Sequence, residues 1–177
     1  PSINADGTRI AFLSDGDLIG SNPDGNGEIF LWTQGSGITQ ITNTTGPGNV
    51  QPSINADGTR IAFLSDGDLT GDNSDGSSEI FLWTQGSGIT QITNSVGGKS
   101  EGYSINADGT RIAFRSVTGA KFEIFLWTQG SGITQITNST EGTKSDTSIN
   151  ADGTRIAFIS DQNLTASNAD GNREIFL

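Results

Sequence analysis

The chain contains no cysteine, no histidine and no methionine in 177 residues. Without cysteine there is no disulfide, no thiolate chemistry and no Cys-based zinc site, although the compartment stays open. Without histidine, the commonest general base and the commonest transition-metal ligand are both missing. Nine Lys and Arg stand against twenty Asp and Glu, for a formal net charge of −11. A clustered basic footprint for phosphate backbones is therefore lacking, which argues against nucleic acid, and anionic membrane surfaces are equally unsuited. No run of 18 apolar residues occurs, so no membrane insertion by a helix is expected. Apolar residues make up only 32 % of the chain, a share that would suggest disorder if they were scattered.

They are not scattered. The segment Ser2-Ile-Asn-Ala-Asp-Gly-Thr-Arg-Ile-Ala-Phe12 recurs unchanged from Ser53, Ser104 and Ser148. A second block, Glu28-Ile-Phe-Leu31, recurs at Glu79, Glu123 and Glu174. In the first three copies it runs on through a Trp to Ile-Thr-Gln-Ile-Thr-Asn. Such self-similarity sets the architecture before any single residue does. The third copy is shorter, with its missing residues confined between Phe114 and Glu123, which marks that interval as a loop outside the packed framework.

Each copy reads as four short strands, A to D. Strand A lies around Pro1 to Asn4, and Asp6-Gly7 is a tight-turn signal into strand B, Thr8 to Ser14. Strand C is Glu28 to Thr33, Gln34 to Gly37 closes it, and strand D is Ile38 to Thr42. No segment carries a 3.6-residue apolar period beyond one turn, so essentially no helix is expected. In strand B, Ile10 and Phe12 point opposite to Ala11 and Leu13; in strand C, Ile29 and Leu31 oppose Phe30 and Trp32. A sheet with one wet face would alternate apolar with polar. These middle strands are apolar on both faces, so each sheet has to be sandwiched between its own copies.

The fold class expected is all-β, a β-propeller of tandem four-stranded antiparallel blades. The blades would span residues 1–51, 52–102, 103–147 and 148–177, the last lacking its final strand. A linear β-solenoid is the competitor, but its coils are usually shorter and lack hairpins inside each unit. Because the sequence stops at Leu177 within strand C, we expect a piece of a longer array. Bare blade faces at either end favour a homodimer completing an eight-bladed ring; a four-bladed monomer is the alternative.

The run Asp6-Gly-Thr-Arg-Ile-Ala-Phe-Leu-Ser-Asp15, followed by Glu28-Ile-Phe-Leu31 and Gln40-Ile-Thr42, resembles the TolB-like, or PD40 (WD40-like), propeller repeat. Asn4-Ala5 stands where Ser-Pro is usual, and Thr33 where an Asp is common. The resemblance implies propellers, often secreted or periplasmic, that act as protein-binding platforms or beside enzymes. It assigns no one activity, because function on this fold lives in loops and partners.

The copies differ mainly in the B–C loop, Asp15 to Gly27 and its equivalents, and in the D–A connection that follows strand D. Alternate connections of an up-and-down sheet lie at the same end, so this variation falls on one face. That face is expected to carry any ligand or protein partner, unless the variation is drift after duplication. Carboxylates and amides gather in the B–C loops: Asp15, Asp17, Asn22, Asp24 and Glu28; Asp66, Asp68, Asp72, Asn73, Asp75 and Glu79; Asp161, Asn163, Asn168, Asp170 and Glu174. Hard oxygens on a glycine-bearing loop suit calcium, so up to three calcium sites are expected, and none in the third copy, whose loop carries Lys121 instead. The spacing fails the EF-hand pattern, and the same residue types make Asx-turns that cap loop amides. No other cofactor is implied. The Trp at one repeat position (Trp32, Trp83, Trp127) suits packing between blades, and Arg9, Arg60, Arg111 and Arg155 are expected to meet a neighbouring carboxylate or solvent.

Catalysis is not expected. Serine chemistry wants a base in hydrogen-bond reach, and no Gly-x-Ser-x-Gly elbow or phosphate-binding Gly-Lys motif occurs. Paired carboxylates are available, but near-identical copies offer near-identical environments, whereas acid and base roles need split pKa values. The expected function is a binding scaffold. The alternatives are a structural repeat of an extracellular array and an accessory propeller of a larger enzyme.

Overall fold

The computed structural model describes residues 1–46, 48–95, 99–119, 121–139, 142–166 and 168–177, apart from the side chain of Thr118. Among them are fifteen strands and no helix. The first sheet runs β1 (Ser2–Ile3), β2 (Arg9–Ser14), β3 (Glu28–Thr33), β4 (Gly37–Gln40), each strand antiparallel to the next. The second repeats it as β5 (Asn49–Ile54), β6 (Arg60–Ser65), β7 (Glu79–Thr84) and β8 (Gly88–Gln91). The third is β9 (Ser100–Ile105), β10 (Arg111–Thr118), β11 (Lys121–Thr128) and β12 (Gly132–Gln135). The fourth has three strands, β13 (Lys144–Ile149), β14 (Ile156–Ser160) and β15 (Glu174–Phe176).

The chain divides into two compact units, residues 1–97 and 98–177, each holding two sheets. In the first unit, the face of the first sheet that carries Ala11, Ile29 and Leu31 packs on the face of the second that carries Ile61, Phe63 and Phe81. Ile41, Leu69, Trp83 and Ile89 close the edges of this core. In the second unit, Ile124 of the third sheet meets Ile156, Phe158 and Phe176 of the fourth. Two-faced apolar strands thus stack sheet on sheet. Each fully buried Phe or Ile contributes about 1.5–3 kcal/mol relative to exposure. A Phe pair repeats across strands B and C in every sheet, with ring centroids 5.7, 5.9, 5.6 and 5.8 Å apart.

The invariant turn between strands A and B is built by its own side chains. Asp6 Oδ1 accepts from the Thr8 amide at 3.0 Å and the Thr8 hydroxyl at 2.6 Å, while Asn4 Oδ1 accepts from the Arg9 amide at 2.8 Å. The Thr8 hydroxyl and amide together hold the Asp6 carboxyl below its ordinary value, and Asp57 and Asp152 are lowered in the same way by Thr59 and Thr154. In the second copy Gly58 is needed twice. Its φ is +74°, which favours glycine, and a Cβ there would collide with the stem of Arg9 from the first sheet.

Three features differ from the sequence reading. Strand A starts earlier in the later copies, at Asn49, Ser100 and Lys144, and carries a bulge whose left-handed residue is Gln51, Gly102 or Asp146. The shortened third copy does not keep a loop after Phe114: its strands lengthen to Thr118 and from Lys121 into one continuous hairpin. Arg9 and Arg111 hydrogen-bond to backbone carbonyls of the next sheet, with the Arg9 charge also helping to lower Asp57. Arg9 donates to the Gly58 carbonyl and to Gln85 Oε1, both at 2.9 Å, and Arg111 donates to the Gly153 carbonyl at 2.7 Å.

Candidate functional site

The meander brings the B–C loop and the D–A segment of one sheet to the same end, and side chains tie them together. Asn26 Nδ2 donates to the Thr44 carbonyl at 2.7 Å, and the Asn49 amide donates to the Gly27 carbonyl at 2.8 Å. The strongest tie is the glutamate that opens strand C. Glu28 is fully buried and accepts from the hydroxyls of Thr42 and Thr44, the Thr44 amide and Asn49 Nδ2. Glu79, equally buried, accepts from the Thr93 hydroxyl and from the amide and hydroxyl of Ser95. Glu123 takes Thr137 and Ser139 in the same manner, with Lys144 Nζ at 3.3 Å. Burial pushes the Glu123 carboxyl up, but those donors and the Lys144 charge outweigh it and hold it below its ordinary value. The glutamates are anchors for the D–A segment.

The other residues read as calcium ligands lie on the loops around these anchors. Asp17 accepts from the Asn22 amide at 2.9 Å, Asp68 from the Asn73 amide at 2.9 Å, and Asn163 Oδ1 from the Asn168 amide at 2.8 Å. Asn22, Asn73 and Asn168 are buried and donate both amide hydrogens to carbonyls of their own loop. Asp75 accepts from Ser77, and Asp170 from Asn172. Asp161 is lowered by the Thr143 amide and hydroxyl, which it accepts at 2.7 and 2.9 Å. Asp15, Asp24, Asp66 and Asp72 are exposed, as is Glu174, the counterpart of the buried anchors. Among the described residues, no three Asp or Glu side chains stand together within reach of one ion.

The two kinds of loop do enclose something. In the first unit a cavity of about 690 Å³ opens between the D–A segment of the first sheet and the B–C loop of the second. Asn43, Thr44 and Thr45 line one side, and Asp66, Asp68, Asn73 and Ser74 the other. Sequence reasoning singled out the aspartates and the D–A connection but missed the constant Thr-Asn that ends strand D (Thr42-Asn43). Its recurrence beside a recurring Glu was the available signal.

Antiparallel four-stranded sheets stacked face to face, with each strand order a simple meander, define blades of a β-propeller. The solved structures agree: this is the TolB-like β-propeller fold. A putative TolB from Agrobacterium tumefaciens matches with a TM-score of 0.66 at 20% identity, over 98% of this chain and 62% of that one. TolB from Acinetobacter baumannii matches with a TM-score of 0.58 at 20% identity, over 90% of this chain and 39% of that one. Oligogalacturonate lyase from Vibrio parahaemolyticus matches with a TM-score of 0.59 at 14% identity, over 98% and 52%. No family model matches the chain, and no curated protein does. The chain spans less than two thirds of each of these structures, and identities this low carry the fold alone.

The lyase corrects the expectation that the chain does not catalyse. An enzyme shares this fold, so lack of activity does not follow from the architecture.

Proposed function

We propose that this chain is a propeller-type binding scaffold whose ligand face is formed by the B–C and D–A loops. The observation that supports it is the cavity of about 690 Å³ where those loops meet in the first unit. Its lining is polar, it includes the exposed carboxylates of Asp66 and Asp68, and the chain carries a net charge of −11. Such a lining suits the cationic side chains of a basic protein segment. Buried Glu28 and Glu79 hold the loop bases still, so little ordering is left to be done on binding. The resemblance to secreted and periplasmic propeller repeats supports a location outside the cytosol.

Titrating the labelled chain with an arginine- and lysine-rich peptide tests the reading. Shift changes confined to residues 43–45 and 66–76, and abolished by Asp66→Asn with Asp68→Asn, are the expected result. Binding that survives both substitutions, or shifts confined to the invariant turns at Asp6 and Asp57, would refute it. A second reading, a propeller that forms part of an enzyme, takes support from the likeness to the lyase, and a catalytic segment in the same reading frame would favour it.

A further inference from the structure

The stacking within each unit is directional, and within their own units it leaves the front of the first sheet and the back of the fourth without a partner. Call the face bearing Ala11 and Leu31 the back of the first sheet, and the face bearing Ile10 and Phe12 its front; the Cα register puts the equivalent residues of every sheet on the same sides. Back packs on front both times: first sheet on second, and third on fourth.

The same polar contacts accompany both stackings. The Ala5 amide donates to the Ala56 carbonyl at 3.0 Å, and the Ala107 amide to the Ala151 carbonyl at 3.1 Å. Ser2 Oγ accepts from the Ile54 amide at 3.1 Å, and Ser104 Oγ from the Ile149 amide at 2.9 Å. Arg9 and Arg111 complete the set on the Gly58 and Gly153 carbonyls.

The front of the first sheet and the back of the fourth hold the unused halves of this set. Ile3 is 60% exposed, whereas its counterpart Ile54 is 7% exposed. Gly7 is exposed, whereas Gly58 and Gly153 are buried beneath an arginine. On the other side, Ile175 is 76% exposed, whereas its counterparts Ile29 and Ile124 are fully buried. Arg155, the counterpart of Arg9 and Arg111, is exposed, and so is Ser148, the counterpart of Ser2 and Ser104.

We infer that a second copy of this chain covers these faces head to tail, in a homodimer. The back of one copy's fourth sheet seats on the front of the other's first sheet. Arg155 there reaches the Gly7 carbonyl, Ser148 Oγ accepts from the Ile3 amide, and the Ala151 amide donates to the Ala5 carbonyl. The occupant is a second copy because the internal stackings show which surface fits which: the back of such a sheet carries Arg, Ser and Ala at the positions that match this front. This goes beyond the proposed ligand face, since none of the residues it uses lies on the B–C or D–A loops.

The chain has no cysteine, so single cysteines report on this contact cleanly. Ala5→Cys and Ala151→Cys proteins are mixed and oxidised, and the mass of the unaltered chain is measured by light scattering at micromolar concentration. The expected mass is twice 18.4 kDa, with a cross-link in the mixture and none in either variant alone. Ile3→Lys, at an exposed position of the single chain, is expected to return the mass to 18.4 kDa with an unchanged far-ultraviolet spectrum. A single-chain mass for the unaltered protein overturns the inference. So does a double mass without the cross-link, which would mean a different face. A ladder of higher masses overturns the closed pair.

Discussion

Replacing Glu79 by Ala removes the acceptor that holds three donors at the base of the second sheet's D–A segment. The Thr93 hydroxyl, the Ser95 amide and the Ser95 hydroxyl all point at this carboxylate, and the site is fully buried. Hydrogen bonds to a charged group contribute about 1.5–3 kcal/mol each, and a buried donor left unpaired costs about 1–3 kcal/mol. Both hydroxyls can turn to another acceptor, but the Ser95 amide cannot. Relief from burying a charge offsets part of the loss, so we expect a net destabilisation of about 3–5 kcal/mol. For a domain of this size that lowers the melting temperature by about 6–20 °C, at 2–4 °C per kcal/mol. The repeat supplies its own control. Glu174 occupies the same position but is exposed, so Glu174→Ala is expected to stay within about 0.5 kcal/mol. Urea denaturation of the two variants side by side is the assay. Equal effects at the two positions would show that the buried glutamate is not the anchor described.

Gln51 adopts φ +54° at the strand-A bulge, where the third copy has Gly102 at φ +57°. A left-handed side chain costs about 1–2 kcal/mol and a glycine about 0.5–1 kcal/mol in chain entropy, so Gln51→Gly is expected to stabilise by up to about 1 kcal/mol. Gly102→Ala should do the reverse, its Cβ meeting Arg115 Nε at 3.2 Å, and thermal melts of both check the pair. The carboxyls of Asp6, Asp57 and Asp152 are lowered by the Thr beside them. Their stabilising contribution is therefore complete above the unfolded aspartate value near about 3.9 and is lost as pH falls through the lower folded values. The part of the stability owed to these three should decline below about pH 4, and Thr8→Val should bring the Asp6 titration, followed by NMR, back towards its ordinary value. Because Asp17 and Asp68 already accept bonds from their own loops, and Asp161 from Thr143 of the D–A segment, we expect calcium titration to give no heat and chelation no shift in melting. A chelator-sensitive melt would instead favour the calcium sites the loop composition suggests.

The strand content and the stacking were legible because both rest on period-two patterning repeated four times. Ile10 and Phe12 opposing Ala11 and Leu13 mark a sheet that is apolar on both faces, and the Asp-Gly turn fixes where strand A meets strand B. What was hidden depends on partners distant in sequence. Nothing in Glu28 alone says that Thr42, Thr44 and Asn49 will converge on it, so it read as a loop ligand. Arg9 read as meeting either a neighbouring carboxylate or solvent; the structure gives its guanidinium a backbone carbonyl in the next sheet, which no composition reveals. The bulge at Gln51 was invisible because the surrounding residues vary between copies. The third copy's shortened interval read as a loop, but the deletion left ends close enough to zip into a hairpin.

The central claim is that each sheet is buried by its neighbour, and native-state hydrogen exchange tests it residue by residue. The amides of β6 and β7, in the sheet whose front is covered by the first, are expected to exchange slowest in their unit, with those of β4 and the Asp6 and Asp57 turns far faster. If β6 and β7 exchange as fast as β4, the sheets do not shield one another, and the account fails.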